Sequence, residues 1–233
     1  SLPRAPAAPV ATIGALGLAP RFQGAGSAGV NARRTPASLA DELRERHDGP
    51  VSAPAGYARA GDGHDAGPAE EAAALGDAAG VAVVVVGLPE HAESEGFDRT
   101  TLALPRGQRE LLQRLTGGTT PVVVVLISGG VVDLEPWRAD AAAILFAGLA
   151  GQGVTTALAG LLTGAVSPSG RLAETFPLDL RDSPSHLSFP GAVGSGAYGE
   201  GLFVGYRGYD ELGRDVAFPF GHGLTYTEFA YGT

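Results

Sequence analysis

The sequence of 233 residues contains no cysteine, no methionine and no lysine, and these absences narrow the possible functions. Without cysteine there is no disulfide framework and no thiolate metal site. All 16 basic residues are arginine, and the net charge of −9 argues against nucleic acid or an anionic membrane as a partner. Glycine, proline or charge interrupts each apolar stretch before the roughly 18 residues that a transmembrane helix needs.

The chain begins with Ser1 rather than methionine, and no basic region followed by an apolar region opens it. We therefore expect a fragment, a processed chain or an excised domain; no signal peptide is visible, and the localisation stays open. Hydrophobic residues make up 44% of the chain, which is enough for one sizeable core. Residues 1–9 are rich in proline and alanine and are predicted to be a linker, followed by one domain over residues 10–233.

Short β-branched runs alternate with helical patterns up to residue 176. The predicted strands are Val10–Leu16, Val51–Tyr57, Val81–Leu88, Pro121–Ile127, Ala141–Ala147 (whose alanines would also suit a helix) and Leu172–Phe176. The predicted helices are Thr35–Arg46, Pro68–Ala79, Gln108–Leu115 and Val154–Leu162. This alternation predicts an α/β fold, a three-layer sandwich in which a mainly parallel sheet carries helices on both faces. Residues 177–233 form an irregular tail rich in aromatics and glycine, which we expect to be ordered by packing.

An acid-rich loop follows the most uniformly apolar run. The segment Glu93–Arg99 holds three carboxylates and an arginine around Gly96, just past the strand Val81–Leu88. In open α/β sheets, ligands bind outside the carboxyl ends of the strands, so the loop is a candidate proton donor. A solvated charged loop without a function explains the position equally well.

Gly24–Gly29 matches the pattern G-x-G-x-x-G of dinucleotide-binding proteins. That fingerprint belongs in the turn between the first strand and the helix that follows it. Here the predicted strand ends near Leu16, several residues too early, and the predicted cap Thr35 places the helix after the motif. The spacing therefore argues against nucleotide binding.

Five ordered motifs together resemble the C-terminal domain of family 3 glycoside hydrolases, the β-glucosidase family. They are Arg21–Asn31, Glu95–Pro105, Pro168–Pro177, Tyr198–Arg207 and Phe218–Thr227. Each motif alone is weak, but five in order across nearly the whole chain are a specific signal. The resemblance implies an α/β-sandwich domain of a retaining enzyme that cleaves terminal β-linked sugars, with the nucleophilic aspartate on a separate N-terminal barrel domain.

The resemblance also implies roles for individual residues. It identifies Glu95 as the general acid/base, with Glu93 as the second choice. Phe22 is expected to flank the aglycone subsite, with interdomain packing as the alternative. Asp98 and Arg99 are expected either to shape the loop or to orient Glu95.

The resemblance implies a β-linked glycoside and the barrel domain as partners and no cofactor. The five histidines have no metal-ligand spacing, and His222 between two glycines is expected to be a turn residue. Because both carboxyls are needed for the reaction, the isolated chain is expected to be inactive. A non-catalytic carbohydrate-binding or scaffold module and, less favoured, a nucleotide-binding doubly wound domain remain as alternatives.

Overall fold

The computed structural model describes residues 7–59, 66–135 and 137–232. Its centre is a five-stranded, fully parallel sheet with the strand order β2-β1-β3-β4-β5. The strands are β1 (Val10–Ile13), β2 (Val51–Ser52), β3 (Val81–Gly87), β4 (Val122–Ile127) and β5 (Ala143–Phe146). The most uniformly apolar runs form the centre of the sheet, where every residue of β3 and β4 is buried. The predicted parallel sheet is therefore confirmed.

Within the described ranges, five helices cover the sheet: α1 (Ala15–Leu18), α2 (Leu39–Arg44), α3 (Ala66–Asp77), α4 (Arg106–Thr116) and α5 (Val154–Thr163). Helix α3 packs beside α4, and α2 packs beside α5 and α1. Successive strand residues point to opposite faces, and Ile13 lies against Gly76 of α3 while Thr12 lies against Gly17 of α1. The two helix groups therefore lie on opposite faces, and the sandwich has three layers.

Several predicted elements have different ends in the structure. The strand predicted over Val51–Tyr57 is only Val51–Ser52, because Pro54 has no N–H for a sheet ladder and Gly56 has a φ of +68°. The chain leaves the sheet at Gly14, whose φ of +128° is open to glycine but strained for other residues, so β1 ends three residues earlier than predicted. Helix α2 begins at Leu39 rather than at Thr35, because the Ser38 side chain accepts the Asp41 N–H at 3.0 Å and caps the helix there.

The segment after α5 contains more regular structure than its composition indicates. The predicted strand Leu172–Phe176 is reduced to β6 (Phe176–Pro177), which pairs antiparallel with β7 (Val216–Phe218) outside the main sheet. Helix α6 (Tyr206–Leu212) lies just before β7. The predicted linker 1–9 lies largely outside the described residues, so that boundary stays a prediction.

Gly208 lies within α6 rather than in a turn. A Cβ atom there would lie 2.7 Å from the Phe203 carbonyl oxygen and 2.8 Å from the Pro184 Cγ atom. The residue is glycine because the helix approaches its neighbours closely at that point.

Candidate active site

An open cleft of about 530 Å³ lies at the carboxyl ends of β1 and β3. The chain runs outwards from β1 to β2 and in the other direction through β3, β4 and β5, so β1 and β3 flank the switch point of the sheet. Ligands of open α/β folds bind in such a crevice. Its walls come from Leu16, from Arg21 and Ala25, and from the segment between Leu88 and Phe97.

The start of the acid-rich loop is tied to the sheet and to α4. The Gly87 N–H donates to the buried Gln108 side chain at 2.9 Å, and the Leu88 N–H donates to the Ile127 carbonyl at 3.3 Å. The Leu88 carbonyl in turn accepts from Arg21 Nη1 at 3.1 Å. The loop therefore leaves β3 in a defined direction before it reaches its carboxylates.

Glu95 is exposed and lies between Ser94 and Phe97, which both line the cleft. Its Oε2 atom accepts a hydrogen bond from the Ser27 hydroxyl of the glycine-rich segment. A Cβ atom at Gly26 would lie 3.4 Å from the Glu95 Cβ, so the glycine-rich segment packs directly against this residue. The side chain is thus accessible but has a neighbour that orients it.

Glu93 has a different environment two residues earlier. It ends the 3₁₀ turn Glu90–Glu93, and only 10% of its side chain is exposed. Its Oε2 atom pairs with Arg21, and its Oε1 atom accepts the N–H groups of Gly129 at 2.7 Å and Gly130 at 3.2 Å. The carboxylate therefore joins three segments of the chain.

Arg99 and Asp98, at the other end of the loop, also differ from each other. Arg99 donates to the Val131 carbonyl at 2.9 Å, and burial lowers its pKa although Glu93 and Glu174 act in the opposite direction. Glu174 is an exposed residue, but desolvation of its carboxyl raises the pKa of this group. The positive charge of Arg99 acts in the opposite direction and lowers the pKa of Glu174. Asp98 is exposed, and we find no hydrogen bond or ion pair from it within the described part of the chain.

The two aromatic residues near the cleft occupy different environments. Phe22 is half-buried, packs against the core, and its carbonyl accepts the Gly151 N–H at 2.8 Å. Phe97 lines the cleft, with 68% of its surface exposed. Phe97 lies within the motif Glu95–Pro105, but the sequence analysis assigned this residue no role.

The glycine-rich segment does not have the geometry of a dinucleotide-binding turn. It contains only the 3₁₀ turn Gly26–Ala28 and is closed by the Val30 N–H donating to the Gln23 side chain at 3.1 Å. The next helix, α2, begins only at Leu39. Instead, Ser27 of this segment and Arg21 just before it support the acid-rich loop.

Sequence reasoning missed Glu174, whose carboxylate interacts with Arg99, and the partners of the loop carboxylates: Arg21, Ser27, Gly129 and Gly130. Arg21 and Ser27 lie inside a quoted motif, and Gly129 and Gly130 follow β4 as the loop follows β3, which was an available signal. We find no group of three or more His, Asp or Glu residues suited to a metal ion in residues 7–59, 66–135 and 137–232. No helix in these ranges is long and apolar enough to cross a membrane.

Comparison with known proteins connects this geometry to a family. The family model described as "Glycosyl hydrolase family 3 C-terminal domain" matches residues 2–226. The thermostable beta-glucosidase B of Acetivibrio thermocellus is 42% identical over 99% of this chain and 30% of that protein. An exo-alpha-(1->6)-L-arabinopyranosidase of Bifidobacterium longum is 44% identical over 94% of this chain and 29% of that protein.

The structure agrees with the sequence comparison. The crystal structure of the Bifidobacterium adolescentis GH3 beta-glucosidase superposes with a TM-score of 0.88 at 41% identity, over 97% of this chain and 33% of that one. The chain therefore spans about 30% of the length of the curated relatives it matches. It belongs to the glycosyl hydrolase family 3 C-terminal domain family.

Proposed function

We propose that this chain is the C-terminal domain of a retaining β-glucosidase-like enzyme and that Glu95 is its general acid/base. The domain extends over residues 10–233 after a linker at 1–9, and an N-terminal barrel supplies the nucleophile. The accessible carboxylate of Glu95 beside the cleft is the observation that carries this proposal. Glu93 on the same loop is largely buried against protein donors.

The chemistry requires two carboxyl groups about 5–5.5 Å apart on either side of the anomeric carbon. In the first step, the nucleophile bonds to that carbon while the general acid protonates the departing oxygen. In the second step, the same residue acts as a base and takes a proton from the water that displaces the nucleophile. Glu95 can perform both proton transfers from its loop only when the barrel places the sugar against it.

The cleft supplies part of the leaving-group side of the site. Phe97 offers an exposed ring at its wall, and sugars present C–H faces that pack against aromatic rings. Asp98 and Arg99 help to shape or orient the loop, with Arg99 tying it to Val131. Phe22 flanks this side from its half-buried position.

The substrate class is a terminal β-linked glycoside, with β-glucosides as the first choice. Two of the relatives share more than 40% identity with this chain, but their names state a beta-glucosidase and an exo-alpha-(1->6)-L-arabinopyranosidase. Since similar domains belong to enzymes with different names, we propose that the barrel, and not this domain, determines which sugar is accepted.

Replacing Glu95 with alanine in the enzyme that carries this domain tests the assignment. We expect kcat/KM to fall about 10²–10⁴-fold for substrates with poor leaving groups and much less for aryl glycosides with activated ones. Azide should restore turnover of the activated substrates, because its nitrogen can displace the nucleophile from the anomeric carbon without a base. The product is then a glycosyl azide.

Glu71→Ala is the matched control, since Glu71 is an exposed glutamate on α3, an element that contributes no residue to the cleft. Its rates should equal those of the wild type. If Glu95→Ala shows wild-type rates with every leaving group, Glu95 is not the acid/base. A non-catalytic carbohydrate-binding or scaffold module would then be the better description.

A second experiment tests the split between the two domains. The purified chain should release no nitrophenol from an aryl β-glucoside, and activity should appear on mixing with the barrel domain. Turnover by the isolated chain would place both carboxyls within it and contradict the two-domain mechanism. A thermal shift with NAD or FMN in the same preparation would favour a nucleotide-binding domain instead.

A further inference from the structure

We propose that Glu93 is a positioning residue whose carboxylate holds the loop that presents Glu95. This inference rests on the proposed function, because it explains how the acid/base is kept in place. It gives Glu93 a role other than that of an alternative proton donor.

Glu93 joins segments that are far apart in the sequence. We use the name Glu93 clasp for the group formed by Arg21, Glu93, Gly129 and Gly130. One carboxylate oxygen pairs with Arg21 before the glycine-rich segment, and the other accepts the N–H groups of the two glycines after β4. The Ser128 hydroxyl donates to the Gly130 carbonyl at 2.8 Å and so fixes the turn that presents these amides. The clasp thus ties the loop after β3 to both neighbouring segments.

The geometry of Glu93 suits a carboxylate that holds the loop in place, and it does not suit proton transfer to a sugar. Both oxygens accept hydrogen bonds from protein donors, and little of the side chain is exposed. A general acid must lie within about 2.6–3.2 Å of the departing oxygen, which requires access from the cleft. Glu95 has that access, whereas Glu93 faces the protein.

Arg21 depends on Glu93 for its charge balance. Its side chain is only 2% exposed, and Nε and Nη2 have no hydrogen-bond partner among the residues described. An unpaired buried charge is strongly unfavourable. Loss of the Glu93 carboxylate would therefore also displace Arg21, which otherwise binds the Leu88 carbonyl at the start of the loop.

A displacement at Glu93 reaches Glu95 through a short connection. Only Ser94 separates the two residues, and Gly96 follows with a φ of +82°. Beyond Glu95 the loop is exposed as far as Asp98, and Ser27 is the one hydrogen-bond partner of the Glu95 side chain among the residues described. The clasp is therefore the nearest firm attachment of the catalytic carboxylate.

The first test is Glu93→Gln in the enzyme that carries the domain. The substitution keeps the size but turns one acceptor oxygen into an NH₂ group that accepts no hydrogen bond, so the remaining oxygen cannot serve both Arg21 and the glycine amides. We expect kcat to fall roughly 10–100-fold, since a shift of about 1 Å in a reacting group has an effect of that size. Because the loss acts through Glu95, it should be larger for poor than for activated leaving groups, and azide should partly restore turnover of the activated substrates.

The second test is Gly129→Ala, which changes no charge and keeps the amide. Its Cβ would lie 3.2 Å from Glu93 Oε1 and 3.2 Å from Leu149 Cδ1, so the carboxylate must move by a few tenths of an ångström. We expect a smaller fall in kcat, about 3–10-fold, with KM within twofold of the wild type. Gly160→Ala in α5 is the matched control, because its Cβ meets only Val166 at an ordinary 3.4 Å. This control should keep wild-type kinetics.

The outcomes separate the two proposals. If Glu93→Gln loses at least as much rate as Glu95→Ala with poor leaving groups, Glu93 is itself the acid/base and the inference is overturned. A folded Glu93→Gln variant with wild-type kcat also overturns the inference. If Glu93→Gln does not fold, wild-type kcat in Gly129→Ala overturns the inference. Wild-type rates of Glu95→Ala with every leaving group contradict the proposed function instead. The inference is supported when azide rescues Glu95→Ala and both clasp variants lose less rate than Glu95→Ala with the same dependence on the leaving group.

Discussion

Phe97 and Phe22 show how exposure distinguishes two aromatic residues at the same end of the sheet. Phe97 forms part of the cleft wall, whereas Phe22 packs against the core. We expect Phe97→Ala to raise KM for aryl glycosides about 3–10-fold, because a ring contact of about 0.5–1.5 kcal/mol is lost. The unfolding midpoint should not change.

Phe22→Ala provides the comparison. We expect a loss of about 1–3 kcal/mol in the free energy of unfolding, measured in urea, because a half-buried ring leaves a cavity. A change in KM without a change in stability would show instead that Phe22 contacts the aglycone directly.

Tyr57 is a buried residue whose effect on stability depends on pH. Its hydroxyl donates to the Val85 carbonyl at 2.6 Å and accepts the Leu16 N–H at 3.3 Å, next to the switch point. Burial raises the pKa of Tyr57 far above its usual value of about 10, so the unfolded chain loses this proton before the folded one does. Stability that is fully present below pH ~10 should therefore fall above it, by about 1.4 kcal/mol per pH unit.

Tyr57→Phe tests this statement. It should cost about 1–2 kcal/mol at neutral pH, because two buried backbone groups lose their partner. The variant should also lose the Tyr57 part of the alkaline slope in urea melts between pH 8 and 11. An unchanged slope would mean that Tyr57 does not contribute to alkaline unfolding.

At the scale of elements, the end of β3 has room only for glycine. Gly87 pairs with Ile127, and a Cβ atom there would clash with the Ile127 carbonyl oxygen on the neighbouring strand. We expect Gly87→Ala to destabilise the protein by about 1–3 kcal/mol or more, because two central strands must separate. Since the acid-rich loop starts at this point, kcat of the assembled enzyme should fall as well.

Gly153→Ala is the control for Gly87→Ala. Gly153 has a φ of −92° and nothing within 4 Å of the added methyl group, so stability should stay within about 0.5 kcal/mol of the wild type. Equal effects of the two substitutions in thermal melts would contradict a specific close contact at the end of β3.

At the scale of the whole molecule, the segment after α5 exposes many large apolar side chains. Leu202 is 85% exposed, and Leu187, Tyr198, Leu224 and Tyr231 are exposed to a similar extent. Exposed apolar surface of this kind is typical of an interaction site. Because the chain spans about 30% of its relatives' length, we propose that the barrel domain covers part of this surface.

Leu202→Ser tests the proposed interface with the barrel. The isolated chain should keep its stability within about 0.5 kcal/mol, because the side chain has little to lose in the free domain. Binding to the separately produced barrel should weaken about tenfold or more, measured by calorimetry, as expected for a buried apolar anchor. The exposed residue Thr119 lies just before the amino end of β4, and Thr119→Ala should bind normally. Equal binding of both variants would place the interface elsewhere.

The sequence by itself determined the class of fold, the family and the loop that carries the acidic residues. Uniform β-branched runs such as Val81–Leu88 indicate buried parallel strands, because a strand whose two faces are both covered carries apolar side chains at every position. Local patterns were weaker at the ends of elements, where Ser38 rather than Thr35 caps α2, because capping depends on which side chain reaches an open N–H.

Only the tertiary structure decided how the two glutamates of the loop differ. Glu93 and Glu95 have the same side chain two residues apart. The family motif identifies Glu95, but no local pattern predicts how the surroundings of the two side chains differ. The structure brings Arg21, Gly129 and Gly130 to Glu93 and leaves Glu95 exposed beside the cleft. The physical reason is that burial and hydrogen-bond partners arise from segments distant in sequence, which meet only when β1, β3 and β4 align in one sheet.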